Sequence, residues 1–179
     1  MPNTSRDQTL YVPTGNPDTW SSTPLERPGE IGKVHDYNDK TYQRVQLDSG
    51  ATASTAIGAV AANQVAYWKD KTKYLVTNDV NQALGVASSA QMQFAAGIFR
   101  SAVPAGYYCD IVVRGRNIAC ADDGSPGVGE LIIADATSGQ ARVKGIALGT
   151  ACTHKELGIC RTASSANVCY VDLDIPDIP

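Results

Sequence analysis

The strongest candidate for a catalytic residue is Asp48, a carboxylate at the end of a predicted strand. Asp48 follows Val45-Gln46-Leu47 and begins the turn Asp48-Ser49-Gly50. A turn of this kind can direct a carboxylate out of the strand, where it shares a proton with a second carboxylate and acts in acid–base catalysis. The same three residues are also ordinary turn formers at a strand end.

A retroviral-type aspartic protease is the enzyme that Asp48 could serve, because a dimer of that type supplies the second Asp. The later apolar-Gly-Arg segment of such enzymes has a partial counterpart in Ile111-Val-Val-Arg-Gly-Arg-Asn117. In this counterpart, Arg114 stands where an apolar residue is expected before Gly115. We therefore expect an ordinary turn at Asp48, predict that the chain has no catalytic residue, and keep the protease as an alternative.

Other chemical templates are missing from the sequence. It has no G-x-S-x-G nucleophile turn and no glycine-rich phosphate loop. Its two histidines, His35 and His154, have no spacing that ties them to a serine or cysteine nucleophile. Asp122–Gly127 lacks the ligand spacing of a calcium loop, so we expect a solvent-exposed hairpin loop. We predict no metal and no cofactor.

The five cysteines all lie in the last 71 residues of the 179-residue chain. An odd number leaves at least one of them free or paired between chains, and the sequence does not determine the pairing. We expect the cysteines to be reduced and to act as small apolar residues of strands. The next alternative is that they form disulfides later, in an oxidising medium. A zinc site is the weakest alternative. The candidate disulfide residues are Cys109, Cys120, Cys152, Cys160 and Cys169.

Composition limits the classes of function. Hydrophobic residues make up 43% of the chain, which is enough for one packed domain. A net charge of −3 gives no basic surface for nucleic acid. No apolar run reaches the length of about 18 residues that a membrane helix needs. Residues 1–17 lack the basic and apolar regions of a secretory signal, so we expect synthesis in the cytoplasm.

Short strand patterns begin at Lys40. Turn signals recur every 8–12 residues, which is typical of an all-β barrel or sandwich. The stretch 80–93 is the one candidate for a short helix, and a loop is an equal alternative there. The strand segments are Thr41–Asp48, Val65–Lys69, Tyr74–Thr77, Phe94–Arg100, Tyr107–Arg114, Asn117–Ala121, Glu130–Ala134, Gln140–Lys144, Leu157–Thr162 and Val168–Leu173.

The first forty residues differ from the rest of the chain. Five of the nine prolines lie in the first 28 residues, which disfavours helices and central strands. We predict an extended, proline-rich arm over residues 1–40, a β-rich body over 41–175 and a short tail over 176–179. The arm either binds a neighbouring surface, which we favour, or folds back on its own body. Its candidate contact residues are Leu10, Tyr11, Val12, Trp20, Leu25 and Ile31.

Several segments between residues 15 and 115 together resemble a known family, the capsid decoration or cement proteins of tailed bacteriophages. The resemblance lies in the order and texture of these segments and not in a catalytic motif. The segments are Gly15-Asn16-Pro17 with Trp20, Leu47–Thr52, Gly58–Asp70, Ala96–Ala102, Ala105–Cys109 and Val112–Gly115.

This resemblance implies a structural virion protein. The β-rich body would lie on the outer surface of the capsid, bound to the phage major capsid protein, and would stabilise the head. We would expect a homo-oligomer, with a trimer favoured, and arms that reach adjacent subunits. We expect neither nucleic acid nor a membrane as a partner. The alternative is another β-rich virion component, such as a tail, baseplate or receptor-binding module.

Overall fold

Every regular element of the computed structural model is a β-strand within the residues that it describes, which are 20–21, 32, 34–49, 59–79, 95–134, 139–143 and 156–175. The predicted all-β fold class is confirmed. No helix long and apolar enough to cross a membrane is found in these ranges. The strands are β1 (Trp20–Ser21), β2 (Val34–Tyr37), β3 (Lys40–Leu47), β4 (Ala59–Val60), β5 (Val65–Asp70), β6 (Leu75–Thr77), β7 (Ala95–Phe99), β8 (Val103–Pro104), β9 (Tyr108–Ala121), β10 (Leu131–Ala134), β11 (Ala141–Val143), β12 (Glu156–Ser165) and β13 (Val168–Asp174).

Five strands close into a barrel. Their order is β9-β7-β5-β6-β3, and pairing between β3 and β9 closes the ring. Strands β3 and β6 are parallel, while the other pairs in the ring are antiparallel. Of the two architectures that the sequence left open, the body therefore has the barrel, with a further sheet attached to it.

The attached sheet, here called the extension, has the order β9-β13-β12-β10-β11. Strand β9 belongs to both regions, because its first half pairs with β3 and β7 and its second half with β13. Gly115 lies between the halves, where an added Cβ would come within 2.9 Å of Lys40 Cγ. A glycine at this position allows β9 to run unbroken through both regions.

Two apolar clusters follow from the alternation of side chains along the barrel strands. In β5, Ala66 and Trp68 point to the barrel interior, while Val65 and Tyr67 point outward. The outward residues pack in one cluster with Cys160, Val171 and other residues of the extension. Part of the outer wall of the barrel is therefore covered by the extension, and β5 is buried on both faces from Val65 to Trp68.

Backbone hydrogen bonds also join the two regions. The Ala121 N–H donates to Asn63 O at 2.8 Å, and the Val65 N–H donates to Gly139 O at 2.9 Å. These bonds satisfy polar groups that the packing of the extension removes from water. The barrel and the extension therefore share one strand, one apolar cluster and a set of backbone bonds.

The segment predicted as an arm contains described strands. β1 pairs with the start of β9, and β2 pairs along β3. The division at residue 40 stays a prediction, as does the tail, whose residues 176–179 lie outside the described ranges. The helix or loop considered for 80–93 lies outside them as well.

Candidate functional site

Asp48 lies directly after β3, and its side chain forms an ion pair with Lys69 of β5. Its N–H donates to Val76 O at 2.8 Å, which fixes the turn against β6. A carboxylate bound by a lysine ammonium inside one chain is not arranged to share a proton with a second carboxylate. This geometry gives the protease alternative no support.

The cysteines divide between the two apolar clusters. Cys109 lies in the barrel interior, where burial raises the pKa of its thiol to about 12. Cys120, Cys160 and Cys169 lie together in the cluster under the extension. All four are buried thiols, and Cys152 lies outside the described residues.

The loop after β9 is only partly as predicted. Asp122 is fully buried, so the expectation of a solvent-exposed loop is wrong for this residue. Its Oδ1 accepts hydrogen bonds from Gly124 N–H and Ser164 Oγ, both at 2.6 Å. A buried carboxylate that accepts local backbone and hydroxyl donors stabilises a turn conformation. Among the described residues, no group of His, Cys, Asp and Glu side chains is placed to hold a metal ion.

The arm candidates have one described member. Trp20 in β1 pairs with Cys109 of β9, and Ser21 pairs with Tyr108. At this point the segment lies against the body of its own chain. Leu10, Tyr11, Val12, Leu25 and Ile31 lie outside the described residues, so their role as contact residues stays a prediction.

An open groove of about 860 Å³, which was not predicted from the sequence, lies on the extension. The groove crosses β9, β13 and β12, and the turn between β2 and β3 borders it. Its charged lining consists of three arginines and three aspartates. They are Arg114, Arg116, Arg161, Asp39, Asp172 and Asp174.

Two ion pairs hold four of the charged side chains of this groove. Arg114 Nε lies 2.8 Å from Asp174 Oδ1, and an Arg161 nitrogen lies 2.7 Å from Asp172 Oδ2. The hydrogen bond from Arg161 is the main cause that lowers the pKa of Asp172 below its usual range, and the Asn117 N–H also contributes. The charges are therefore fixed in position while their outer surfaces remain in solvent.

Apolar side chains stand in and beside the groove. Ile159 lines it and is 43% exposed, and Tyr170 on the neighbouring strand is 40% exposed. We call Ile159, Tyr170 and the groove arginines and aspartates of β9, β12 and β13 the outer face of the extension. Tyr and Arg side chains are enriched in protein-binding surfaces, and this face presents Tyr170 together with three arginines.

A sequence signal for this face did exist. Arg114 and Arg116 are two residues apart, as are Asp172 and Asp174. Because side chains in a strand alternate between faces, each pair projects from one face of its strand. What the sequence could not provide was the pairing of β9 with β13, which brings the two charged pairs together.

Comparisons with known proteins place the chain among virion proteins. The model of the XM1 gp53 minor capsid protein family matches residues 18–173. A search of curated proteins gave no match. Among solved structures, the N base of head fiber gp8.5 of bacteriophage phi29 matches with a TM-score of 0.44 and 8% sequence identity, over 77% of this chain and 97% of that chain. A TM-score at this level supports no inference about fold or function.

Proposed function

This chain belongs to the XM1 gp53 minor capsid protein family and is a structural protein associated with phage capsids, and we propose that it is a decoration protein that binds the outside of the major capsid protein lattice. The family match carries the proposal, because it covers 156 of the 179 residues, from 18 to 173. The proposed role is to stabilise the head as a cement protein.

The outer face of the extension supports a contact with another protein. Two ion pairs, Arg114–Asp174 and Arg161–Asp172, hold their side chains in defined positions, so a partner would meet an ordered charged surface. Ile159 and Tyr170 offer apolar area between these charges. We propose that this face meets the capsid surface.

The action would be mechanical. A subunit that spans several capsid proteins adds interface area that must be broken before the capsid proteins separate. Stable protein interfaces bury about 1,200–2,000 Å² in total. The proline-rich segment before β1 would add to that area as an arm on a capsid protein or on a sister subunit, at a cost in ordering entropy. A trimer at local three-fold positions would allow three such arms to act together.

Co-sedimentation with heads that lack this protein tests the proposal. Saturable binding of the full chain is expected, with a number of copies per head that follows the lattice. The double variant Ile159→Lys, Tyr170→Ala should weaken binding at least tenfold. Val128→Lys is the matched control, because Val128 is 69% exposed in a loop outside the groove lining, and it should bind like the wild type.

Truncation separates the contribution of the arm. Deletion of residues 1–19 leaves β1 and β2 in place, whereas deletion of residues 1–40 would also remove both strands. Weaker binding of the shorter deletion would assign a clamp role to the arm. Undiminished binding of the shorter deletion would indicate that the body, and not the arm, makes the contact with the head. If neither the wild type nor any variant binds heads, the decoration proposal fails, and a tail, baseplate or receptor-binding role becomes the better one.

A further inference from the structure

Two cysteines of the extension face each other across neighbouring strands. Cys120 of β9 and Cys169 of β13 are direct partners in the antiparallel register. Residues paired in this way have Cα atoms about 4.5–5.5 Å apart. This spacing lies within the range of about 4.4–6.8 Å that disulfides require. Both side chains are fully buried on the inner face of the sheet.

The other two thiols among the described residues, Cys160 and Cys109, are less well placed. The Cys169 thiol has hydrogen-bonding contacts with the thiols of Cys120 and Cys160. Cys160, however, pairs in register with Val171, and its own Sγ lies 3.1 Å from Thr162 O. Cys109 lies in the barrel interior and belongs to the other apolar cluster. The register therefore favours Cys120 as the partner of Cys169.

We propose that Cys120 and Cys169 form an intrachain disulfide when the protein meets an oxidising medium. The oxidant is a low-molecular-weight disulfide such as oxidised glutathione. One protein thiolate attacks it to give a mixed disulfide and release one glutathione, and the second protein thiolate then displaces the other glutathione. The protein thiols lose two protons and two electrons to form the S–S bond, and the oxidant is reduced to two thiols.

The surroundings of the pair make this reaction slow in the folded chain. The hydrogen bond with the Cys120 thiol, together with burial and nearby Asp122, raises the pKa of the Cys169 thiol. The thiolate is the attacking form, so the Cys169 thiolate is scarce at neutral pH. The bond would therefore form mainly when β9 and β13 separate transiently.

The bond would fasten β13 to the second half of β9. The segment that it closes contains β10, β11 and β12, and β9 is the strand that the two regions share. Closing a loop of this size restricts the unfolded chain and stabilises the folded one. An intrachain bond also removes these two residues as candidates for a link between subunits. The inference does not depend on what the protein binds.

Refolding in a glutathione redox buffer tests the inference. Because refolding starts from the unfolded chain, burial of the thiols does not limit the rate at which the bond forms. Free thiols are then alkylated under denaturing conditions, and intact mass and peptide mapping locate any disulfide. We expect one Cys120–Cys169 bond. We also expect a rise of about 1–2 M in the urea midpoint of unfolding relative to the reduced protein.

Alanine variants provide the controls. Cys109→Ala and Cys160→Ala should keep the rise in the midpoint, while Cys120→Ala and Cys169→Ala should lose it. Mapping of the wild-type protein is decisive even where a variant does not fold. Five alkylated cysteines, a Cys160–Cys169 bond, or an unchanged midpoint in the bonded protein would each overturn the inference.

Discussion

The barrel and the extension share β9 but use charge in opposite ways. In the barrel wall, Arg44 of β3 and Asp110 of β9 form an ion pair at 3.2 Å, with side chains only 8% and 10% exposed. In the extension, Arg114 and Asp174 form a pair at 2.8 Å, with side chains 65% and 70% exposed. A buried pair is costly to break, whereas an exposed pair contributes little to stability.

This difference indicates a division of roles. The barrel interior holds apolar side chains such as Leu47 and Phe99, which are fully buried, and its ring of strands has no free edge. The extension buries one face on the barrel and presents the other to solvent. We infer that the barrel provides the rigid base and that the extension provides the surface for a partner.

The largest effect is expected from removing a core side chain of the barrel. Phe99→Ala should lower the free energy of unfolding by about 3–5 kcal/mol, because a large fully buried ring leaves a cavity. Leu157→Ala, in the cluster under the extension, should cost about 2–5 kcal/mol. Urea unfolding followed by tryptophan fluorescence and by far-UV circular dichroism measures both variants.

Because the two regions share β9 and a core cluster, each of these variants should still unfold in one transition. Coincident curves from the two probes would support a single cooperative unit. Two separate transitions in Leu157→Ala would show instead that the extension and the barrel are two independent folding units.

The buried ion pair of the barrel gives the next largest effect. Arg44→Met should cost about 3 kcal/mol, because it removes the arginine and leaves the Asp110 carboxylate buried beside an apolar side chain. The double variant Arg44→Met, Asp110→Leu should recover most of this loss. A double-mutant cycle from urea midpoints checks this, and a loss below about 1 kcal/mol in the single variant would contradict the assigned burial.

A backbone contact in the extension ranks third. A Cβ added at Gly158 would lie 1.9 Å from the Asp172 carbonyl oxygen of the next strand, so Gly158→Ala must displace β12 from β13. We expect a loss of about 2–3 kcal/mol and faster hydrogen exchange in these two strands than in the barrel. Gly129→Ala is the control, since Gly129 also has a positive φ but has no atom within 4 Å of an added Cβ, and about 1 kcal/mol is expected there.

The pair of Arg161 and Asp172, with side chains 58% and 24% exposed, should have the smallest effect on stability. Arg161→Met should change the free energy of unfolding by less than about 1 kcal/mol while it weakens binding to heads. If Arg161→Met lost as much stability as Arg44→Met, the ion pairs of the barrel and of the extension would not differ in their contribution to stability.

The pH dependence of this pair has a definite sign. The pKa of Asp172 is lower in the folded chain, so its contribution is present above the ordinary aspartate pKa of about 3.9 and is lost as the pH falls through the folded value. The difference in urea midpoint between wild type and Asp172→Asn should therefore be constant from pH 5 to 7 and shrink below about pH 4. A difference that grows as the pH falls would contradict this assignment.

Local patterns in the sequence predicted most of the strands. Alternation and turn residues located β3, β5, β7 and β13 to within a few residues. At Gly115 the sequence suggested a break, and the structure instead has one continuous strand, because β13 pairs along the second half of β9. Strand β2 was missed because Val34-His35-Asp36-Tyr37 has only a weak strand pattern and is held by its pairing with β3.

Long-range contacts could not be read from one sequence. The barrel closes through β3 and β9, which are far apart in the chain, and local preferences do not determine such a pairing. The same limit applies to the cysteines, because only the register of β9 and β13 shows that Cys120 faces Cys169. The charged groove could be predicted only in part. The two-residue spacing of the charged side chains in β9 and in β13 is present in the sequence, but the pairing of these two strands is not.

A reconstruction by electron cryo-microscopy of heads incubated with the full chain tests whether the chain binds the outside of the capsid lattice. We expect density for the chain on the outer surface, repeated with the lattice of the major capsid protein, with the outer face of the extension toward the capsid. Density confined to the tail or to a single vertex, density inside the head, or contact made by the barrel with the extension facing solvent would contradict it.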